Sequence, residues 1–321
     1  MSIIIEQLSL LGIIPVVVIE KPESGKTLAK ALMDGGLPCM EITFRTDGAA
    51  TALKMIANSY PQILLGAGTV LTIEQAAMAI DSGAKFIVAP GLNRKVVEYC
   101  RSKNVPFIPG VATPTDIEMA LDMGLQILKL FPAEGLGGVE YLKALSGPYK
   151  QIKFIPTGGI QQSNLLSYLT QQNVLACGGS WMVRTDLIQS ENYNEIQNIT
   201  QNAVNAMLGF ELKHIGINCS DEPTALSSSK QLSDVIHFPI NDGSSSVFVG
   251  SSFEFTKTPF LGSHGHIAIG THSIKRAMYY LEQRGYKVLP DKKSEKDGKI
   301  MSIYLDKEIA GFAMHLLQNS N

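Results

Sequence analysis

Lys129 follows the apolar run Leu125-Gln126-Ile127-Leu128 and opens Lys129-Leu130-Phe131-Pro132-Ala133-Glu134. The run reads as a short buried strand, and lysine is almost never fully buried unless paired. Burial in apolar surroundings depresses an amine's pKa, and a neutral amine is the nucleophile that forms a Schiff base with a ketone. The residue types therefore point to carbon–carbon bond chemistry on a keto acid. The plainer alternative is a structural ion pair with a neighbour such as Glu134.

Other residues could complete such a site. Strand side chains alternate faces, so in Met40-Glu41-Ile42-Thr43-Phe44-Arg45 the polar residues Glu41, Thr43 and Arg45 share one face. Glu41 suits a proton shuttle beside a Schiff base; its plainer role is a salt bridge to Arg45. Arg45 offers a planar fork for a carboxylate. Thr69, between the glycines of Gly66-Ala67-Gly68 and Val70, adds a hydroxyl. Two turns, Thr157-Gly158-Gly159-Ile160 and Gly178-Gly179-Ser180-Trp181, offer backbone N–H groups of the kind that bind phosphate. The rival amines Lys85 and Lys153 fall at strand starts, away from such a site.

These residues need a frame. Apolar runs recur at Ile13–Ile19, Cys39–Phe44, Ile63–Ala67, Phe86–Ala89, Pro106–Ile108, Ile127–Leu130, Lys153–Ile155 and Val174–Cys177. Helix-like segments lie between them, such as Glu23–Met33, Asp47–Asn58, Ile73–Asp81, Arg94–Arg101, Pro114–Asp122 and Ser163–Gln171. Thr46, Thr72 and Thr113 stand as helix caps, and Gly35, Gly83 and Gly124 as helix ends. Eight strand–helix units over residues 1–210 predict a (β/α)8 barrel, with Met1–Leu11 as a short helix at its bottom. A doubly wound open sheet is the alternative, without a G-x-G-x-x-G after the first strand to support a dinucleotide site.

The rhythm stops near Phe210–Lys213. Residues 214–321 carry a weak repeat, His214-Ile215-Gly216-Ile217 against His266-Ile267-Ala268-Ile269-Gly270. Each copy precedes a helix-like segment and then short strands (Ser246–Val249 and Phe253–Thr256; Ile300–Leu305 and Gly311–Gln318). The expectation is a smaller α+β domain of two βαβββ-like units. His237, His264 and His272 fall in loops or on the surface.

A net charge of −2 without a basic run gives no footprint for nucleic acid. No apolar run reaches the roughly 20 residues of a membrane span, and the first residues lack signal-peptide features. The four cysteines form no C-x-x-C pair, so reduced, buried thiols are expected. A cytoplasmic protein is the expectation.

Glu41–Thr46 (EITFRT), Gly66–Leu71 (GAGTVL), Pro90–Gly91, Ile108–Gly110, Lys129–Glu134 (KLFPAE), Pro156–Ile160 (PTGGI) and Gly178–Trp181 (GGSW), in that order, resemble the 2-keto-3-deoxy-6-phosphogluconate (KDPG)/2-keto-4-hydroxyglutarate (KHG) aldolases over roughly residues 8–208. The resemblance implies a class I, metal-independent aldolase on a homotrimeric TIM barrel, with a small, phosphorylated keto acid as substrate. It assigns Lys129 to the Schiff base and Glu41 to acid/base work, with Arg45 and Thr69 on the pyruvate carboxylate and Pro90 and Phe131 lining the pocket. Thr157, Gly158, Gly159, Gly179 and Ser180 bind substrate, the glycines and serine at its phosphate. The last third resembles the glyoxalase/bleomycin-resistance (vicinal oxygen chelate) superfamily, whose ligand positions fall on His214, Glu254, His266 and His315. A divalent metal there is not expected; a structural or regulatory module is. The competing functions are a barrel isomerase or lyase without a Schiff base, and a sugar-acid sensor acting through the C-terminal domain.

Overall fold

The structure is a computed structural model describing residues 3–319. It divides into two compact units, Met1–Met207 and Leu208–Asn321. The first contains β1 (Ile13–Val17), β2 (Cys39–Thr43), β3 (Leu64–Gly68), β4 (Phe86–Val88), β5 (Phe107–Ile108), β6 (Gly110–Val111), β7 (Ile127–Leu130), β8 (Lys153–Pro156) and β9 (Cys177–Gly179). All their pairings are parallel.

Strands β5-β4-β3-β2-β1-β9 form one ladder and β6-β7-β8 another. Only Pro109 separates β5 from β6. Proline has no N–H for the ladder, but its carbonyl still accepts from Lys129 N at 2.8 Å. Bridges Phe154–Val174 and Thr157–Gly178 join β8 to β9. With β5 and β6 counted as one, eight strands close into the expected (β/α)8 barrel, which excludes the open sheet. Small and large residues interlock inside it. A Cβ on Gly66 would lie 2.2 Å from the ring of Phe86, which is itself fully buried.

Thr72 accepts a hydrogen bond from Gln75 N, and Thr113 forms a capping box with Asp116. Each such cap contributes about 1 kcal/mol. Thr46 does not cap as expected. Gly48 holds the cap position, and the Thr46 hydroxyl donates to Ile19 O at 2.6 Å. The last barrel strand also shifts. Val174 makes only a bridge, and the ladder runs through Cys177–Gly179, because glycine carries no apolar side chain to mark a strand. The expected first helix spans Ile3–Leu11; Met1 and Ser2 lie outside the described residues.

The second unit contains β10 (Glu211–Asn218), β11 (Ile240–Asp242), β12 (Ser246–Val249), β13 (Phe253–Thr256), β14 (Gly265–Thr271), β15 (Val288–Lys296), β16 (Lys299–Ile309) and β17 (Phe312–Gln318). Helices Glu222–Ile236 and Ile274–Glu282 follow β10 and β14. The sheet order is β11-β12-β13-β10-β14-β17-β16-β15. Two βαβββ units therefore meet at the antiparallel β10–β14 pair, and each brings its fourth strand back parallel beside its first. Val247, Val249, Phe255, Ala225 and Cys219 pack one core cluster of this unit.

Candidate active site

β7 pairs in register with β6 and β8, Lys129 opposite Gly110 and Ile155. This phase turns Lys129 into the barrel. It is 6% exposed, and Glu41, from β2, is 2% exposed. Their side chains meet at 3.4 Å, Lys129 Nζ to Glu41 Oε1. The Phe131 ring centroid lies 5.3 Å from the same amine. A Cβ on Gly68 would sit 2.2 Å from Glu41 Oε1, so that glycine makes room for the carboxylate. A charge stripped of water is tolerated when paired, and here each buried charge has the other.

The plainer alternatives fare differently, since Lys129 does sit in a buried ion pair, but with Glu41. Glu134 does not pair with Lys129; its carboxylate accepts from the Tyr168 hydroxyl. Glu41 pairs with Lys129, while Arg45 Nε donates to Thr69 Oγ1 at 3.3 Å. Lys153 lies two residues down its strand from the Lys129 row and donates to Gln172 O at 2.6 Å.

A cavity of about 570 Å³ opens over Lys129, lined also by Thr43, Arg45, Thr69, Phe131 and both glycine turns. Arg45 spends one of five donors on Thr69, leaving a fork suited to a carboxylate. Thr69 itself is held at φ +57°, a left-handed conformation of the kind that clusters at functional sites. Pro90 is not among the residues lining this cavity. Its carbonyl instead packs where a Gly110 Cβ would be, 2.0 Å away.

The first glycine turn is gripped from behind. Ala133 N and Glu134 N donate to the carbonyls of Thr157 and Gly158, and Asn164 Nδ2 donates to that of Gly159. In a trans peptide the next N–H points the opposite way. The N–H groups of Gly158, Gly159 and Ile160 are therefore turned away from those donors, and all three residues line the cavity. Gly158 and Gly159 hold φ +97° and +81°. Successive N–H groups in such a turn form an anion-binding nest. Gly179 and Ser180, on the neighbouring strand end bridged through Thr157–Gly178, line the same cavity. The sequence reading missed Arg184 and Asp186, an ion pair at 2.5 Å that also lines the mouth; their position just after the Gly178–Trp181 turn was the available signal.

In the second unit, His214, Glu254, His266 and His315 come from β10, β13, β14 and β17. All four converge. His214 Nε2 and His266 Nε2 each lie 3.1 Å from Glu254 Oε2 and 3.1 Å from one another. Ligand atoms of the three histidines lie within 4.8 Å of one another. Both ring nitrogens of His315 and Nδ1 of His266 are buried without a hydrogen-bond partner. Burial, then the neighbouring His266 and His214, pushes the His315 imidazole down to about 3. Burial opposes the Glu254 charge, but hydrogen bonds from His214 and His266 outweigh it and hold that carboxyl below the usual range. Gly216 makes room for the His266 ring, which a Cβ would approach to 2.0 Å. The surrounding cavity, about 390 Å³, is also lined by Phe248, Phe260 and Tyr304. The Tyr304 ring, not singled out from sequence, stacks on His315 at 4.5 Å.

Comparison with known proteins adds a second line of observation. A family model described as KDPG and KHG aldolase matches residues 4–199. The 2-dehydro-3-deoxy-phosphogluconate aldolase of Treponema pallidum (strain Nichols) is 47% identical over 201 residues, 63% of this chain and 96% of its own. The KHG/KDPG aldolase of Escherichia coli (strain K12) is 40% identical over 192 residues, 60% of this chain and 90% of its own. The solved KDPG aldolase from Legionella pneumophila, with pyruvate captured as a covalent carbinolamine intermediate, aligns with TM-score 0.60 at 38% identity, covering 62% of this chain and 97% of that one.

Proposed function

Because the chain belongs to the KDPG and KHG aldolase family, we propose that its Schiff-base aldol cleavage is carried by Lys129 and Glu41 in the barrel cavity. The enzyme is a class I carbon–carbon lyase acting on 2-keto-3-deoxy-6-phosphogluconate, 2-keto-4-hydroxyglutarate or both, and its reaction needs no metal. The buried Lys129–Glu41 pair, 3.4 Å apart at the foot of an open cavity, is the observation that supports these roles.

The Lys129 amine adds to the C2 ketone, and the carbinolamine loses water to give an iminium. Breaking the C3–C4 bond sends its electron pair into that iminium, forming an enamine. Glu41 takes the C4 hydroxyl proton, and the aldehyde leaves as glyceraldehyde 3-phosphate or glyoxylate. The enamine is protonated at C3, and water hydrolyses the imine to release pyruvate and the amine. Arg45 and Thr69 hold the carboxylate, Phe131 walls the pyruvate end, and the turns at Thr157–Gly159 and Gly179–Ser180 seat the phosphate. Incubation with pyruvate and borohydride tests this: a stable adduct on Lys129 is expected. An adduct on Lys153, or none, sinks the assignment and leaves an isomerase or a sensor.

The working protein is a homotrimer in the cytoplasm. Exposed Leu71, Met78 and Met119 on the barrel surface support an assembly, and light scattering reads its size. Among the described residues no helix is long and apolar enough to cross a membrane.

A second reading concerns the His214–Glu254–His266–His315 cluster, where convergence favours a metal against the sequence expectation. Ligand atoms about 2.1 Å from one cation sit about 3.0 to 3.4 Å apart, from adjacent octahedral to tetrahedral positions, near the 3.1 Å spacings of His214, His266 and Glu254, while the three imidazoles, spread to 4.8 Å, would draw in to share one ion. Orphaned imidazole nitrogens and a carboxylate suit a divalent transition metal. Such an ion would supply Lewis-acid polarisation to an oxygen ligand. Metal analysis of the purified protein, beside His266→Ala, decides it: absence of stoichiometric metal ends this reading.

A further inference from the structure

The phosphate turn and the Lys129 strand are tied together by one pair outside the cavity. Tyr168 is fully buried in the helix Gln162–Leu169 and donates its hydroxyl to Glu134, five residues after Lys129. The Glu134 stem lies against the turn: a Cβ on Gly159 would come within 2.6 Å of its Cβ and 2.5 Å of its Cγ. Gly138, at φ +62°, leaves the space in which carboxylate and hydroxyl meet; a Cβ there would lie 3.1 Å from both oxygens. The Glu134 backbone N–H holds the Gly158 carbonyl at 3.1 Å. One residue therefore fixes the turn through its main chain and its side chain, and Tyr168 fixes that residue.

We infer that Glu134 and Tyr168 are positioning residues that hold the phosphate turn at a set distance from Lys129, and so set the preference for phosphorylated over unphosphorylated keto acids. The inference rests on the aldolase reading for its substrates. Neither side chain lines the cavity, so the effect passes through the Gly158–Ile160 backbone. The carboxylate would repel a phosphate if it swung forward, and the Tyr168 hydroxyl draws it toward the helix.

The test compares Glu134→Ala, Glu134→Gln and Tyr168→Phe. In Glu134→Ala and Tyr168→Phe, KM for 2-keto-3-deoxy-6-phosphogluconate and the calorimetric Kd for inorganic phosphate should rise about five- to tenfold, the scale of one lost ordinary hydrogen bond. Cleavage of 2-keto-4-hydroxyglutarate and borohydride trapping of pyruvate should stay within about twofold. Glu134→Gln keeps an acceptor for Tyr168 and should bind phosphate nearly as the parent does. Equal losses on both substrates, or unchanged phosphate affinity in Glu134→Ala and Tyr168→Phe, would overturn the inference. The phosphate titration reads the clamp even if neither keto acid is cleaved, so its failure is distinct from failure of the aldolase reading.

Discussion

The barrel cavity and the cavity of the second unit are both built on strand faces, yet their buried charges are satisfied differently. In the barrel, one amine and one carboxylate face each other at 3.4 Å. In the second unit, two imidazoles contact one carboxylate with a third imidazole beside them, and three ring nitrogens have no partner among the described residues. Buried polar groups in native proteins are generally satisfied. The barrel pair meets that condition within the chain. The histidine cluster does not: both ring nitrogens of His315 and Nδ1 of His266 lack a partner among the described residues. On the readings proposed above, the difference separates a covalent catalyst from a metal-holding site.

Removing the amine gives the largest effect. Lys129→Met should lower cleavage by about 10⁴-fold or more, the scale seen when a nucleophile is deleted, and leave metal content as in the parent. Retained cleavage would break the comparison at its first term. Glu41→Gln keeps the size of the side chain but removes the base, and should lower kcat by about 10²- to 10³-fold. Slow trapping of pyruvate on Lys129 should persist; its complete loss would mean that Glu41 positions the amine rather than moving protons.

His266→Ala probes the other side. It removes one ligand from a cluster whose members all lie in the second unit, while every barrel-site residue lies in the first. Metal per chain should fall below half of the parent value, with kcat and KM for aldol cleavage within about twofold. A matching fall in cleavage would show that the two sites are coupled, and the contrast between them would have to be redrawn.

Legibility in the sequence follows how each site is built. Lys129, Glu41 and Arg45 sit on or just after regular strands, where period-2 phase reports direction, and the phase reading of Glu41 and Lys129 agrees with the register observed. Gly158 and Gly159 were legible because few residues other than glycine tolerate φ near +90°, whereas Gly178 and Gly179 are glycine because a Cβ would strike Thr157 and the Trp181 ring. Tyr168 was not, since a tyrosine on the apolar face of a helix looks like core until its hydroxyl is seen to reach Glu134. The edge strands β11 and β15 were missed for another reason. Their exposed, polar residues, including Pro290 and the lysines after it, read as loop, which is how edge strands discourage pairing with other chains. The histidine cluster was named through the superfamily resemblance and not from phase, because His214, Glu254, His266 and His315 span 102 positions in sequence and the β10–β13, β10–β14 and β14–β17 pairings bring them to one face.

The smallest effect belongs to a residue in neither cavity. Asp116 accepts from the N–H groups of Ala112 and Thr113 in the capping box. Burial raises its pKa, but those N–H groups and the Thr113 hydroxyl outweigh burial, so the carboxyl titrates below its ordinary 3.8. A depressed folded-state pKa contributes stability that is full above the unfolded value and is lost as pH falls through the folded one. Asp116→Asn should therefore melt below the parent at pH 7, with the gap closing as pH drops below about 4. Thr113→Ala removes a hydroxyl that does not itself titrate but helps depress Asp116, and should cost about 1 kcal/mol at pH 7 with a smaller closing of the gap at low pH than Asp116→Asn. Neither variant should alter the trapping of pyruvate or the metal content. A melting gap for Asp116→Asn that stays constant down to pH 3 would mean that its carboxylate charge contributes nothing, and that the cap acts through hydrogen-bond geometry alone.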